Sequence, residues 1–164
     1  MGIRQGLIME LKHEASNTRK MLERLSADQF DYKPHEKSAT LGKLAGHIAD
    51  LPGWISMTIQ STEFNLANRP FQREPVTTTE GLLQLHNDNV NAAVSAIENA
   101  TDEDIGVEWT LRMGDHIVAK MPRAAVIRSL PMNHMIHHRG QLSVYMREND
   151  IPLPGIYGPS ADEQ

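Results

Sequence analysis

Residues 131–149 read PMNHMIHHRGQLSVYMREN, with His134, His137 and His138 set inside a run that otherwise keeps helical spacing. Extended upstream, Ile127, Leu130, His134, His138, Gln141 and Tyr145 recur every three or four positions, the signature of one inward face of an α-helix. The spacing predicts a long last helix from about Pro122 to Asn149, with Pro122 in the first turn, where a missing N–H is tolerated. Residues four apart on a helix lie about 40° apart in angle and about 6 Å apart along the axis. His134 and His138 therefore aim at one point, a spacing that recurs where a helix holds a metal ion. His137 lies about 100° from His138 and is assigned to a layer behind the ligands or to a surface edge.

Three further helices precede this one. From Ile3 to about Leu25, the stripe Ile3, Leu7, Leu11, Ala15, Thr18, Leu22, Leu25 marks an amphipathic helix. The polar stretch SADQFDYKPHEKSAT (26–40) ends it. Thr40 can cap a second helix carrying Leu41, Leu44, His47, Ile48, Leu51, Ile55 and Ile59. NRPFQREPVTTTE (68–80) reads as a long polar loop that keeps Pro70 and Pro75 outside helices. Thr79 then caps a third helix with Leu83, His86, Val90, Ala93, Val94 and Ile97 on its apolar side.

The period changes in VEWTLRMGDHIVAKM (107–121), where Val107, Trp109, Leu111 and Met113 alternate with polar residues and Gly114-Asp115 can turn the chain. That is a β-hairpin pattern. The tail DIPLPGIYGPSADEQ (150–164), with Pro152, Pro154 and Pro159, reads as an extended arm, packed or loose. The expected fold is all-α: one domain over residues 1–164, a four-helix bundle with a short β-hairpin inserted before the last helix.

Composition narrows the function. Apolar residues make up 40% of the 164 and charged residues 23%, ordinary for a globular domain. A net charge of −5 lacks the basic footprint of a nucleic-acid binder. No apolar run approaches the roughly 18 residues a membrane span needs, and the N-terminus shows no signal-peptide pattern, so a cytoplasmic location is expected. Without cysteine the chain supplies no disulfide, thiolate ligand or thiol nucleophile. Eight histidines are the anomaly.

A third ligand for the pair at 134 and 138 has to come from a facing helix. His47, between Leu44 and Leu51 on its stripe, is the best placed; His86 competes from the third helix. His13, His35 and His116 sit beside charged or turn residues and read as exposed. Ligating imidazoles usually donate their second N–H to a neighbouring acceptor, and Asp50 and Gln141 are spaced to accept. Pro52 and Pro131 each remove a helical hydrogen bond and predict kinks beside the ligands. Trp54, Trp109 and Tyr157 are candidate pocket walls. Arg139 could grip an anionic group; the plainer readings are a surface position or an ion pair.

LGKLAGHIADLPGWI (41–55), NHMIHHRGQL (133–142) and PLPGIYGPSADE (152–163) together resemble the DinB-like family. These are damage-inducible metal-binding helical bundles, grouped with the bacillithiol- and mycothiol-dependent transferases. The three segments cover the second helix, the last helix and the tail in matching order; the intervening helices fit by pattern only. The resemblance implies that His47, His134 and His138 bind a divalent metal and that the chain forms a homodimer. It implies a site rather than a substrate.

Three neutral imidazoles leave coordination positions open, as in catalytic rather than structural zinc sites. An all-nitrogen set suits zinc, nickel, copper or iron over magnesium or calcium, with zinc and nickel foremost. The expected function is a metal-dependent transferase of the thiol S-transferase type, or a hydrolase, acting on a small molecule. Any low-molecular-weight thiol must come from outside the chain. The competing expectations are a stress-response protein that binds metal or a small ligand without turnover, and a dimeric scaffold. Residues for the chemistry beyond the three ligands are not assigned by the sequence.

Overall fold

The computed structural model describes residues 2–68 and 75–163, so Pro70 and its neighbours in the polar loop lie outside the described residues. Four helical rods form a bundle, and a small sheet is inserted before the last rod. The first rod is α1 (Ile3–Leu22), which buries Leu7, Leu11, Ala15, Thr18 and Leu22 and carries Arg19 and Lys20 in its last turn, where the helix dipole favours cations. Ile3 stays exposed, and Leu25 is buried just beyond the helix end.

The second rod is broken. α2 (Leu41–Asp50) starts where Thr40 accepts a hydrogen bond from the Lys43 N–H. Pro52 divides it from α3 (Gly53–Gln60), because proline brings no N–H for the carbonyl four residues back. Asn89 Nδ2 donates to Ala49 O at this break, 3.0 Å away. A Cβ on Gly53 would come within 2.9 Å of Asn89 Oδ1, so glycine lets the rods approach there. The third rod, α4 (Thr79–Asn99), is capped by Thr78, whose hydroxyl accepts from Gly81 N–H. Thr79, the expected cap, donates instead to Leu25 O at 2.7 Å. A short α5 (Asp102–Gly106) follows with a reciprocal Thr101–Asp104 cap.

The hairpin joins β2 (Glu108–Met113) and β3 (His116–Pro122), and Gly114 turns the chain at φ +60°. A third strand, β1 (Glu63–Asn65), extends the sheet by pairing parallel to β2, Glu63 opposite Thr110. Three residues are too few to show an alternating pattern, so β1 is not legible in the sequence. Asn65 fixes the hairpin from the side: its Oδ1 accepts from Gly114 N–H at 2.9 Å and its Nδ2 donates to Gly114 O at 3.2 Å.

The last rod begins at Arg123, since Pro122 is the end of β3 and the cap of α6 (Arg123–Ile127). A π-turn over Arg128–Met132 contains Pro131, and the Asn133 N–H closes it on Arg128 O, five residues back. The rod resumes as α7 (Asn133–Glu148).

One core cluster joins Leu22, Leu41, Leu44, Ile48, Leu82, Leu142 and Met146 at one end of the bundle. A second joins Leu11, Ile55, Ala93, Ile97, Ile105 and Ile127 at the other. Under the sheet, Trp109, Leu111 and Val126 pack with Trp54, Met57, Phe64 and Leu130. The tail is fastened rather than loose. Asp162 takes Arg147 and the Leu153 N–H, and Glu163 takes the Gly155 N–H and Arg24. These contacts hold both carboxyls below the usual carboxylate range. No described helix is long and apolar enough to cross a membrane.

Candidate metal centre

α2 and α7 pack side by side, and three imidazoles meet along their seam. The ring centroids of His134 and His138 are 4.5 Å apart; His47 stands 5.0 Å from the first and 4.8 Å from the second. One nitrogen of each lies within 4.8 Å of the others. The Nε2 atoms of His134 and His138 are separated by 2.8 Å. Two nitrogens bound to one transition ion at about 2.0–2.1 Å are separated by about 2.9 Å at a right angle and about 3.4 Å at the tetrahedral angle. The donor set and spacing fit a transition ion with small side-chain adjustments. Among the described residues, this is the group of histidine and acidic side chains able to hold one.

The cluster lies at the rim of the bundle. The sequence stripe put His134, His138 and Gln141 on the inward face, but α7 buries Met135, Arg139, Leu142 and Met146. The π-turn explains the difference. It adds one residue to the helical count, so the phase read through from Ile127 is off by about one position after Met132. His134 and Gln141 are exposed, while His47 and His138 are half-buried. A site at the rim is open to small molecules without any opening of the core.

His138 donates from Nδ1 to Gln141 Oε1 at 2.6 Å. Gln141 Nε2 in turn donates to His137 Nε2 at 3.2 Å. The structure thus selects Gln141 as the acceptor behind His138, and His137 as that amide's own partner. Asp50, one turn after His47, lines a cleft of about 260 Å³ with Gly53, Trp54, Met57, Phe64 and Asn89. The His134 imidazole is held below the ordinary histidine value, first by partial burial and then by the neighbouring His138 and His137 rings. This favours the neutral form that ligation requires.

The remaining candidates separate cleanly. His86 is buried between α1 and α4, its Nε2 donating to Ala15 O at 3.1 Å, and is no part of the cluster. His13, His35 and His116 are exposed as expected. Trp109 is core, donating from Nε1 to Ser61 Oγ at 3.0 Å, and Trp54 is the expected aromatic that does line a cleft.

Arg139 is ion-paired, as one of its plainer readings has it, but it is neither a surface residue nor a substrate grip. Only 3% exposed, it pairs with Glu14 Oε2 at 2.6 Å and donates to Glu14 O, Thr18 Oγ1 and Tyr157 Oη. Tyr157 also donates to Glu14 Oε2 at 2.7 Å, so it closes this node instead of walling a pocket. Burial comes first among the causes that raise its pKa. A signal was present: Glu14 lies on the first helix's apolar stripe between Leu11 and Thr18.

The sequence profile of the DinB family matches residues 4–164. YrdA of Bacillus subtilis (strain 168) is 29% identical over 159 residues, covering 92% of this chain and 85% of that protein. YjoA of the same organism is 29% identical over 133 residues, 80% of each chain. Among solved structures, a DinB-like protein from Bacillus cereus ATCC 10987 superposes with a TM-score of 0.73 at 23% identity, over 93% of this chain and 97% of that one. The YjoA structure gives 0.69 at 23% identity, over 97% and 99%. On the extent of the family match and the shared bundle, the chain belongs to the DinB family.

Proposed function

We propose that the chain holds a divalent transition metal, zinc or nickel, on His47, His134 and His138 and serves as a metal-dependent transferase or hydrolase of small molecules. Thiol S-transfer is the leading form. The observation that carries the reading is the convergence of three imidazole nitrogens at an exposed rim, with no fourth histidine and no acidic side chain in the group among the described residues. A bound divalent ion with neutral ligands would supply Lewis acidity, lowering the pKa of water or of a thiol held there.

The chain's own contribution is to place and admit the reactants. Gln141 fixes the His138 ring. The cleft beside Asp50 offers Trp54, Met57 and Phe64 as apolar walls for the body of an electrophile. Asp50, on its lining, follows His47 by three residues, about one turn of α2. The attacking thiol has to be a diffusible one, because the chain has no cysteine.

The test is consumption of a low-molecular-weight thiol by an aromatic electrophile in the presence of zinc- or nickel-loaded protein, against His134→Ala. Turnover by the wild type that is lost in a folded variant supports the reading. Equal rates in both exclude it. The absence, among the described residues, of any carboxylate from the histidine group favours a second reading, metal or ligand binding without turnover, which predicts stoichiometric uptake and no thiol consumption in the same experiment. The homodimer implied by the family resemblance is part of this proposal and is checked by sedimentation equilibrium.

A further inference from the structure

We infer that Gln141, held in place by His137, is a positioning residue that fixes the tautomer of His138, so that its Nε2 lone pair faces His47 and His134. The inference rests on the metal reading above for its purpose, though not for its geometry.

A glutamine amide is directional, because Oε1 only accepts and Nε2 only donates. His138 Nδ1, 2.6 Å from Gln141 Oε1, must therefore carry the proton of its neutral ring. Its Nε2 is then bare, and this is the atom 2.8 Å from His134 Nε2. A free histidine has no such constraint and populates both tautomers. With the proton on Nε2, the ring would point a hydrogen at the place an ion has to occupy.

The other end of the amide is engaged as well. Gln141 Nε2 donates to His137 Nε2 at 3.2 Å, and the His137 and His138 rings lie 5.1 Å apart on consecutive residues. The helix makes the arrangement compact, since Gln141 is four residues after His137 and three after His138, and both spacings bring side chains together on one face. His137 is exposed and contributes nothing to the core. Its contact with the amide is the role the structure gives it.

The decisive readout is the imidazole 15N spectrum of the metal-free protein, paired with cobalt(II) affinity, for wild type, Gln141→Leu, Gln141→Glu and His137→Phe. The expected result is an Nδ1–H ring at His138 in the wild type and in Gln141→Glu, whose carboxylate still accepts from Nδ1–H. Gln141→Leu should release the ring to mixed tautomers and weaken cobalt binding by about ten- to a hundredfold. His137→Phe should shift both readouts in the same direction by a smaller factor. An Nε2–H ring at His138 in the wild type, or an unchanged tautomer and affinity in Gln141→Leu, would overturn the inference. Failure of the metal reading shows up separately, as no cobalt uptake by wild type, while the tautomer is still read without any ion.

Discussion

His134 Nε2 and His138 Nε2 face each other at 2.8 Å across one turn of the same helix. The second nitrogen of His138 is already committed to Gln141, so the facing atom of His138 is a lone pair. That nitrogen, the facing nitrogen of His134 and the ring of His47 form a concentrated set of imidazole donors at the protein surface. A cation shared among them satisfies all three at once, which a hydrogen bond between two of them does not.

The Glu14–Arg139 pair should behave as a buried ion pair in stability experiments. Its side chains are 8% and 4% exposed. Arg139→Met leaves the Glu14 carboxylate uncompensated and is expected to cost about 3–5 kcal/mol, a fall in Tm of about 6–20 °C at this size. Adding Glu14→Leu should restore most of the loss, because no charge then remains unpaired. Chemical denaturation of the two variants checks this, and similar losses in both would show that packing rather than charge sets the cost.

His86 makes stability depend on pH. Burial holds its pKa below the ordinary 6.5, so below that pH the unfolded chain binds a proton that the folded chain resists. The contribution is fully present above about pH 6.5 and is lost as pH falls toward the folded value, with a slope of at most about 1.4 kcal/mol per pH unit. His86→Gln, which can still donate to Ala15 O, should flatten the denaturation midpoint between pH 6.5 and 5. An equally steep profile in the variant would remove His86 as the cause.

Two helical glycines should respond to alanine with opposite signs. A Cβ at Gly42 would lie 2.8 Å from Phe30 Cβ, whereas one at Gly140 meets nothing within 4 Å. Gly42→Ala is expected to lower stability by about 1–3 kcal/mol through overpacking. Gly140→Ala should raise it by about 0.5–1 kcal/mol through helix propensity alone. Thermal melts of the metal-free proteins decide both.

The sequence carried the bundle and the triad because each rests on short-range regularity. Leu7, Leu11, Ala15, Thr18 and Leu22 repeat cleanly, and His134 and His138 are related by one turn of a helix, whatever surrounds them. It did not carry the phase of α7. The π-turn at Arg128–Met132 breaks the count between Ile127 and His134, and sequence periodicity assumes that no residue is inserted. The exposure of Gln141 and the burial of Arg139 both follow from that one irregularity. β1 was hidden by its length and by a parallel partner 47 residues away, Glu63 against Thr110. Pro52 predicts a kink, and the structure sharpens it to a full break between α2 and α3.

Untagged protein, purified and then equilibrated with zinc or nickel, should retain about one equivalent after gel filtration when read by elemental analysis. His47→Ala and His134→Ala should each lose it while remaining folded. Retention of stoichiometric metal by both variants, or none in the wild type, would exclude the triad as a metal site.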